Sequence, residues 1–385
     1  MTVKPPVIPG LTLARALALA ALILSPLSLG ASGPAGPESA ETLQALLARA
    51  EGGDAQARLQ VGRLYEAGQN MPRNLSLALR WYEKAAEAGA PAGWHQMGLA
   101  YETGKGAASD RARAREYLLR AADAGLRDAA YSLVSLTLAG PGPGSREIKA
   151  ALEILKKAGE TEALAQMTMG VFYENGLGVS PNYSRALERY GKAADLGLPE
   201  AFFSLGVCYE IGLGAAADAG QALANFQKAA DLKLSAASYK LASLHMNGAL
   251  VRPDHKKAVG YLHKAEADGH AEAANELGVI YLEGMLDQPR DQDRALKMFI
   301  RSAELGNPEA MKNVAVIFRN GLGRPPDGVQ ALKWYLIARA AGYQNPGFEE
   351  LLDEVRKALR PEDAERAEAE AESWLAEFHG NRPAG

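Results

Sequence analysis

Glycine-rich hexapeptides are the segments of this sequence that most resemble a chemical site. Residues 173–178 read YENGLG, residues 209–214 read YEIGLG and residues 318–323 read FRNGLG. A loop of this kind can hold a phosphate through its backbone N–H groups, whereas a motif that returns at a fixed interval is typical of a structural repeat. The interval between the copies therefore decides between a chemical and a structural role.

The glycines return at a nearly constant spacing along most of the chain. They lie 36 residues apart, with one step of 37, at Gly68, Gly104, Gly140, Gly176, Gly212, Gly248, Gly284 and Gly321. A series of alanines follows the same repeat at steps of 35 to 37 residues, at Ala78, Ala114, Ala151, Ala186, Ala222, Ala258, Ala295 and Ala331. The sequence therefore predicts eight repeats over about residues 54–342.

One repeat, residues 198–233, has the periodicity of two helices. The first helix is predicted over about residues 199–210, where apolar side chains recur at three- and four-residue steps. Gly212 follows its last periodic residue and is predicted to end the helix in the left-handed conformation. Anions prefer helix N-termini and the hexapeptides lie at C-termini, so the phosphate-site interpretation fails on geometry as well as on repetition.

The second helix carries the alanine series and, in every repeat except the third, bulky aromatic residues, and it is predicted to face small residues of the first helix. Those small residues are Ala57, Gly93, Ala129, Ala165, Ala201, Ala237, Ala273 and Ala310. A single helix pair cannot bury this surface, so the pairs are expected to stack. We predict an all-α fold, an α/α superhelical solenoid of about eight helix-pair repeats, with capping helices over 40–53 and 343–380.

The first thirty residues differ in composition from the repeats. Basic residues precede an apolar run over 16–24, and small residues allow cleavage before Ala31. This pattern predicts a cleaved signal peptide over 1–30, a flexible spacer over 31–39 and a periplasmic or secreted mature protein. An N-terminal segment that stays uncleaved and anchors the protein is the alternative. After cleavage we expect a monomer that does not insert into a membrane.

Charge argues against a nucleic-acid partner, and the cysteine content rules out an intramolecular disulfide. The net charge is −4 and the lysines and arginines form no runs, so no nucleic-acid partner is expected. Cys208 is the single cysteine of the sequence, so the chain cannot form an intramolecular disulfide. Apolar residues occupy the equivalent position of the other repeats, and Cys208 is therefore predicted to be a core residue.

The sequence offers no catalytic, cofactor-binding or metal-binding residues. Its six histidines lack paired-ligand spacing, and no GxSxG or SxxK motif is present. A pair of carboxylates brought together by the fold stays open as an alternative. His245 occupies a row that holds tyrosine in most repeats, so we predict that it packs as a ring, with a pH-sensitive role as the alternative.

The repeat motifs resemble a known family. The first helix ends in LGVCYEIGLG at 205–214 and a second helix ends in KAADLG at 192–197. These motifs resemble the Sel-one-like repeat (SLR) family, relatives of the tetratricopeptide repeats. The resemblance implies interaction scaffolds, and exported bacterial members are similar to adaptors and regulators of the cell envelope. Repeats three and six depart from the motif, at Val134 and at Ala242 and His245.

The most informative signal for function is a face of the first helices that points away from the predicted core. Positions two before, one after and five after the glycine inside the first helix, which is Gly206 in the motif LGVCYEIGLG, fall on this face, at about 100° per residue. The predicted partner-binding residues on it are Gln96, Leu99, Thr168, Val171, Asn175, Ser204, Val207, Ile211, Lys240, Ser243, Asn247, Glu276, Val279 and Glu283. An apolar row between polar rows suits the concave face on which solenoids bind peptides or partner helices. Alternatively, the valines pack against the adjacent first helix.

Together these patterns predict a non-catalytic protein–protein interaction scaffold or adaptor in the bacterial cell envelope. A regulatory role and a role in envelope or exopolysaccharide assembly both fit the resemblance. A cell-wall-acting enzyme or a glycan-binding module is the alternative. Clustered carboxylates, or exposed Trp94 and Phe203 rings in the concavity, would favour that alternative.

Overall fold

The computed structural model describes residues 43–138, 145–158 and 161–381, which form nineteen helices and no strand. The helices are α1 Leu43–Glu51, α2 Ala55–Ala67, α3 Leu75–Glu87, α4 Pro91–Thr103, α5 Arg111–Asp123, α6 Arg127–Leu138, α7 Ser145–Ala158, α8 Ala163–Asn175, α9 Tyr183–Asp195, α10 Pro199–Ile211, α11 Ala219–Asp231, α12 Ser235–Asn247, α13 His255–Ala267, α14 Ala271–Glu283, α15 Gln292–Glu304, α16 Pro308–Asn320, α17 Gly328–Ala340, α18 Phe348–Lys357 and α19 Pro361–Asn381. Even-numbered helices from α2 to α16 are the first helices of eight pairs, and the odd-numbered helix that follows each is the second. The predicted all-α fold of stacked helix pairs is confirmed.

The chain divides into two compact units. The first contains the described residues up to Ser204 together with Leu213–Ala215, and the second contains Leu205–Gly212 together with the residues from Ala216 onward. Inside each unit, a first helix packs on its own second helix, and the second helix packs on the next first helix. The predicted signal peptide, residues 1–30, and the predicted spacer, residues 31–39, lie outside the described residues.

The first helices end at the glycines that set the repeat. Gly176 has φ +68° and donates its N–H to the Phe172 carbonyl, as a left-handed cap requires. Gly212 also lies in the left-handed region, with φ +75°, as predicted. Among the described repeats the same conformation recurs at each equivalent glycine, whereas Gly140 lies outside the described residues.

The second helices begin at an asparagine or aspartate that the sequence analysis did not single out. The side chain of each accepts a backbone N–H of the first turn, at Asn74, Asp110, Asn182, Asp218, Asp254, Asp291 and Asp327. The backbone N–H of the same residue donates to a carbonyl of the preceding first helix, as from Asn182 to Tyr173 at 2.7 Å. One residue therefore starts the second helix and fixes the loop before it.

The core of each pair consists of a large side chain on the second helix and a small residue on the first. A Cβ atom added to Gly278 would lie 2.5 Å from the Phe299 ring, and one added to Gly170 would lie 2.4 Å from the Tyr190 ring. These separations are below van der Waals contact, so the rings require glycine opposite them. Cys208 is buried in the core, and His245 is buried with its ring 5.6 Å from that of Tyr261, so both packing predictions are confirmed.

Repeat three keeps its helix pair, α6 and α7, although it lacks the consensus residues. Val134, which replaces the first-helix glycine, is buried. Glu162, which replaces the terminal glycine, accepts hydrogen bonds from the Tyr131 hydroxyl at 2.9 Å and from Arg127 at 2.6 Å. The Gly140–Gly144 stretch of its GPGPGS loop lies outside the described residues.

Helices cover the apolar ends of the repeats. At the N-terminal end, Leu46 and Ala50 of α1 pack with Val61 of α2. At the C-terminal end, α19 packs along α17, with the Trp374 ring 5.4 Å from that of Trp334. Both ends of the apolar stack are thereby shielded from water, as repeat proteins require.

Candidate protein-binding surface

The first helices of repeats six to eight, all within the second unit, form the accessible part of the predicted face. We call it the repeat six-to-eight face and define it by Lys240, Ser243 and Asn247 of α12, by Glu276, Val279 and Glu283 of α14, and by Asn313, Val316 and Asn320 of α16. The residues at the C-terminal ends of the helices, Asn247, Glu283 and Asn320, are exposed, and the other six are half-buried. The face thus offers one exposed polar row beside two rows that are partly accessible.

Hydrogen bonds between neighbouring first helices hold the face together. The residue three before the consensus position of one repeat bonds the residue two before it in the next repeat. Asn313 donates through Nδ2 to Oδ1 of Asn275 at 3.0 Å, and the Tyr239 hydroxyl faces the Glu276 carboxylate. In the first unit, a ring nitrogen of His95 lies 2.9 Å from the Ser132 hydroxyl at the same two positions. The predicted polar row therefore has a structural role between repeats as well as an accessible edge.

Ion pairs neutralise several charges of this face. Lys240 pairs with Glu210 at 2.9 Å, and Glu283 lies 3.6 Å from Arg290. Burial, and then the nearby Glu276 carboxylate, raise the pKa of Tyr239 to about 12. The Tyr239 hydroxyl is therefore protonated at neutral pH and faces the Glu276 carboxylate.

The valines of the face support both interpretations of the apolar row. Val279 and Val316 are half-buried and pack against the hydrophobic core of the second unit. Their remaining surface lies between polar side chains, in the arrangement predicted for a docking surface. Val279 in repeat seven and Val316 in repeat eight thus each contribute to the core and stay partly accessible.

Four of the fourteen predicted residues lie inside the structure. Thr168, Val171, Ser204 and Val207 are each at most 4% exposed. The Thr168 hydroxyl donates to the Leu164 carbonyl at 2.7 Å. A buried side chain offers no surface to a partner, so these four positions are not part of the accessible face. Gln96, Leu99 and Asn175 are half-buried and Ile211 is exposed.

Sequence reasoning missed one row of the face. Tyr239, Asn275 and Lys312 lie three residues before the consensus position and were not among the predicted residues. A rotation of about 100° per residue places this row toward the adjacent repeat, where periodicity within one helix cannot show its contacts. Polar residues of this row are matched by polar residues two before the consensus position in the following repeat, as Asn275 is by Asn313. This match could have revealed the row.

Chemistry is not evident elsewhere in the described part of the chain. No group of three or more His, Cys, Asp or Glu side chains in it could hold a metal ion. The Trp94 ring is half-buried, stacks on Tyr117 with centroids 5.6 Å apart and lies 5.1 Å from the Arg120 guanidinium, so it is not a freely exposed ring. A groove of about 540 Å³ lies along α15, where Arg301 pairs with Glu266. Among the described residues, no helix is both long enough and apolar enough to cross a membrane.

Comparisons with known proteins agree with this architecture. The family model described as Sel1 repeat matches residues 55–89, 95–126, 163–198, 199–234, 235–270, 271–307 and 308–343, which is more than half of the chain. The unmatched interval, residues 127–162, is the divergent repeat three. None of the curated proteins matches the chain.

Two solved structures illustrate the likeness. A Sel1 repeat protein from Oxalobacter formigenes is 24% identical, with a TM-score of 0.55, over 88% of this chain and 93% of that one. The second is c5321, a protective antigen present in uropathogenic Escherichia coli strains and displaying an SLR fold. It is 25% identical, with a TM-score of 0.46, over 98% of this chain and 88% of that one. The first of these likenesses shows the fold.

Proposed function

This chain belongs to the Sel1 repeat family, and on that premise we propose that it is a non-catalytic scaffold whose partner protein docks on the repeat six-to-eight face. The family fold is generally a protein–protein interaction scaffold and its members are typically non-catalytic. The single observation that carries the proposal is the exposed row of Asn247, Glu283 and Asn320 beside half-buried valines. Solenoids use such faces for extended peptides or partner helices.

The location that we propose is the bacterial cell envelope, where the protein has a regulatory or an assembly role. The basic residues and apolar run at the N-terminus support export with cleavage before Ala31. N-terminal sequencing of the protein from a membrane-free envelope fraction should give a sequence that starts near Ala31. Recovery of the intact Met1–Gly30 segment on membrane-bound protein would replace secretion with anchoring.

Site-specific photo-crosslinking in cells tests the docking surface. A photoreactive amino acid is placed at Asn247, Glu283 or Asn320 and, as matched controls, at Ala224, Ala267 or Glu304. The control residues are exposed on second helices of the same unit. We expect one protein to be captured from all three face positions and from none of the controls. Equal capture from both sets, or from neither, would contradict the proposed surface.

A further inference from the structure

His270 occupies a position at which its protonation state matters. It is the N-cap of α14, and its Nδ1 atom accepts the Ala273 N–H at 3.3 Å. A ring nitrogen can accept this bond only when it carries no proton. In the next repeat, Asn307 caps α16 in the same way, with Oδ1 accepting the Ala310 N–H at 3.0 Å. The two repeats thus use the same cap, and only the cap of α14 can titrate near neutral pH.

The His270 ring lies beside the repeat six-to-eight face and is connected to it through Tyr239. It stacks on Tyr239 of α12, with ring centroids 4.5 Å apart and planes inclined by 19°. Tyr239 in turn faces the carboxylate of Glu276, which belongs to that face. The imidazole is therefore one contact away from a side chain at which a partner would dock.

Few charged groups face the ring. From α14, Glu272 places Oε2 3.3 Å from Nδ1, and from α12 the facing group is the neutral Tyr239. Among the described residues, neither lysine nor arginine forms an ion pair with His270 or with Glu272. Burial lowers the pKa of His270, and the Glu272 carboxylate opposes this shift. The ring is thus neutral at neutral pH and gains its proton at a lower pH than an exposed histidine does.

Protonation changes the cap in a defined way. The proton on Nδ1 removes the acceptor of the Ala273 N–H, and a cation at the N-terminus of α14 opposes the helix dipole. The Glu272 carboxylate is the nearest acceptor for the new N–H donor. Nδ1 lies 3.3 Å from both groups, so protonation would replace the bond from the Ala273 N–H by a bond to Glu272.

We propose that His270 is a pH-responsive cap of α14, which loosens the start of that helix in mildly acidic solution and thereby weakens binding at the repeat six-to-eight face. The cap itself follows from the geometry of α12 and α14. The effect on binding rests on the proposed function and is tested separately.

An NMR titration of the full chain tests the cap. With ¹⁵N-labelled alanine, we expect the Ala273 amide signal to titrate between about pH 7 and about pH 4 with the midpoint of the His270 ring. The variant His270→Asn copies the cap of α16 and should abolish this titration, while Glu272→Gln should move its midpoint to lower pH. The Ala310 amide is the internal control. An Ala273 signal that does not titrate, or that titrates unchanged in His270→Asn, would overturn the proposal.

The affinity for the crosslinked partner tests whether the cap affects binding. From about pH 7.5 to about pH 5.5, we expect the affinity of the wild-type chain to fall about fivefold, a common size for coupling between two sites. Over the same pH range, the affinity of His270→Asn should not show this fivefold fall. Parallel pH dependence of the two proteins would refute the coupling. If no partner is captured, the proposed function fails, while the cap is still judged by the Ala273 signal.

Discussion

Gly176 shows how backbone geometry selects a single residue in this chain. Its φ of +68° lies in the left-handed region, and an added Cβ would lie 2.6 Å from Cγ of Pro181. Any larger side chain therefore meets both backbone strain and a ring that follows in the loop. The role of the repeating glycine as a helix end could be predicted from sequence, because spacing alone reveals it.

Replacement of Gly176 should be costly. We expect Gly176→Val to lower the free energy of unfolding by about 1–2 kcal/mol, because valine tolerates the left-handed conformation poorly. Gly191→Ala in α9 is the control, since an added Cβ has no neighbour within 4 Å there. It should stabilise the protein by about 0.5–1 kcal/mol. Urea unfolding measures both, and an unchanged midpoint for Gly176→Val would contradict the cap.

His95 is a second residue with a testable energetic role. Burial lowers its pKa to about 4, against an ordinary value of 6.5. The unfolded chain therefore binds more protons between these values, and stability falls as the pH drops through this window. Burial also lowers the pKa values of His245 and His270, so their contributions have the same sign.

The pH dependence should change when His95 is replaced. From about pH 7 to about pH 4, the wild-type chain should lose on the order of 3 kcal/mol more than His95→Gln, which cannot titrate. Glutamine also keeps a hydrogen-bonding group near Ser132. Chemical unfolding across this range measures the difference. Parallel stability curves for the two proteins would show that His95 is not held neutral by the fold.

At the level of elements, each helix pair depends on matched sizes across its interface. Repeat seven pairs Gly278 with Phe299, whereas repeat six pairs Ala242 with Leu262, and all four residues are buried. In repeat six an alanine faces leucine, whereas in repeat seven a glycine faces the larger phenylalanine ring. Glycine also faces leucine in repeat two, where a Cβ added to Gly98 would lie 2.6 Å from Leu118. Sequence periodicity predicted the faces of these helices, but it could not give the separations that decide which sizes fit.

A double-mutant cycle tests this matching. We expect Gly278→Ala to cost about 1–3 kcal/mol, because its Cβ would lie 2.5 Å from the Phe299 ring. Phe299→Leu alone should also destabilise the pair by leaving a cavity. The double variant reproduces the residues of repeat six, so its cost should be clearly less than the sum of the two. Additive costs would contradict a size-matched interface.

The limits of sequence reasoning are clearest in contacts between elements. The polar row through Glu276 and Asn313 was predicted from helical periodicity, whereas its contacts with Tyr239 and Asn275 depend on how neighbouring repeats approach each other. The burial of Val171 and Val207, against partial exposure of Val279, could not be predicted for the same reason. Equivalent positions in a repeat share a direction, but their exposure depends on what surrounds each copy.

At the scale of the whole molecule, repetition explains why a chain with one cysteine can form a stable fold. Each helix pair buries its apolar surface on the next within a unit, and α1 and α19 shield the ends. Such an arrangement leaves long rows of side chains on one face, which is how repeat proteins obtain binding surfaces without a catalytic pocket. The repeat six-to-eight face is therefore the surface at which we expect the partner to bind.

Charge-matched variants test most directly whether the partner binds at the repeat six-to-eight face. Asn247→Arg, Glu283→Arg and Asn320→Arg together change the charge by the same amount as the control set Ala224→Arg, Ala267→Arg and Glu304→Arg, and all six residues are exposed. Binding of the crosslinked partner is measured by calorimetry, with circular dichroism as the check on folding. We predict that the face variant stays folded and loses binding by at least about tenfold, the equivalent of about 1.4 kcal/mol, while the control keeps wild-type affinity. A folded face variant that binds as tightly as the control would contradict the claim.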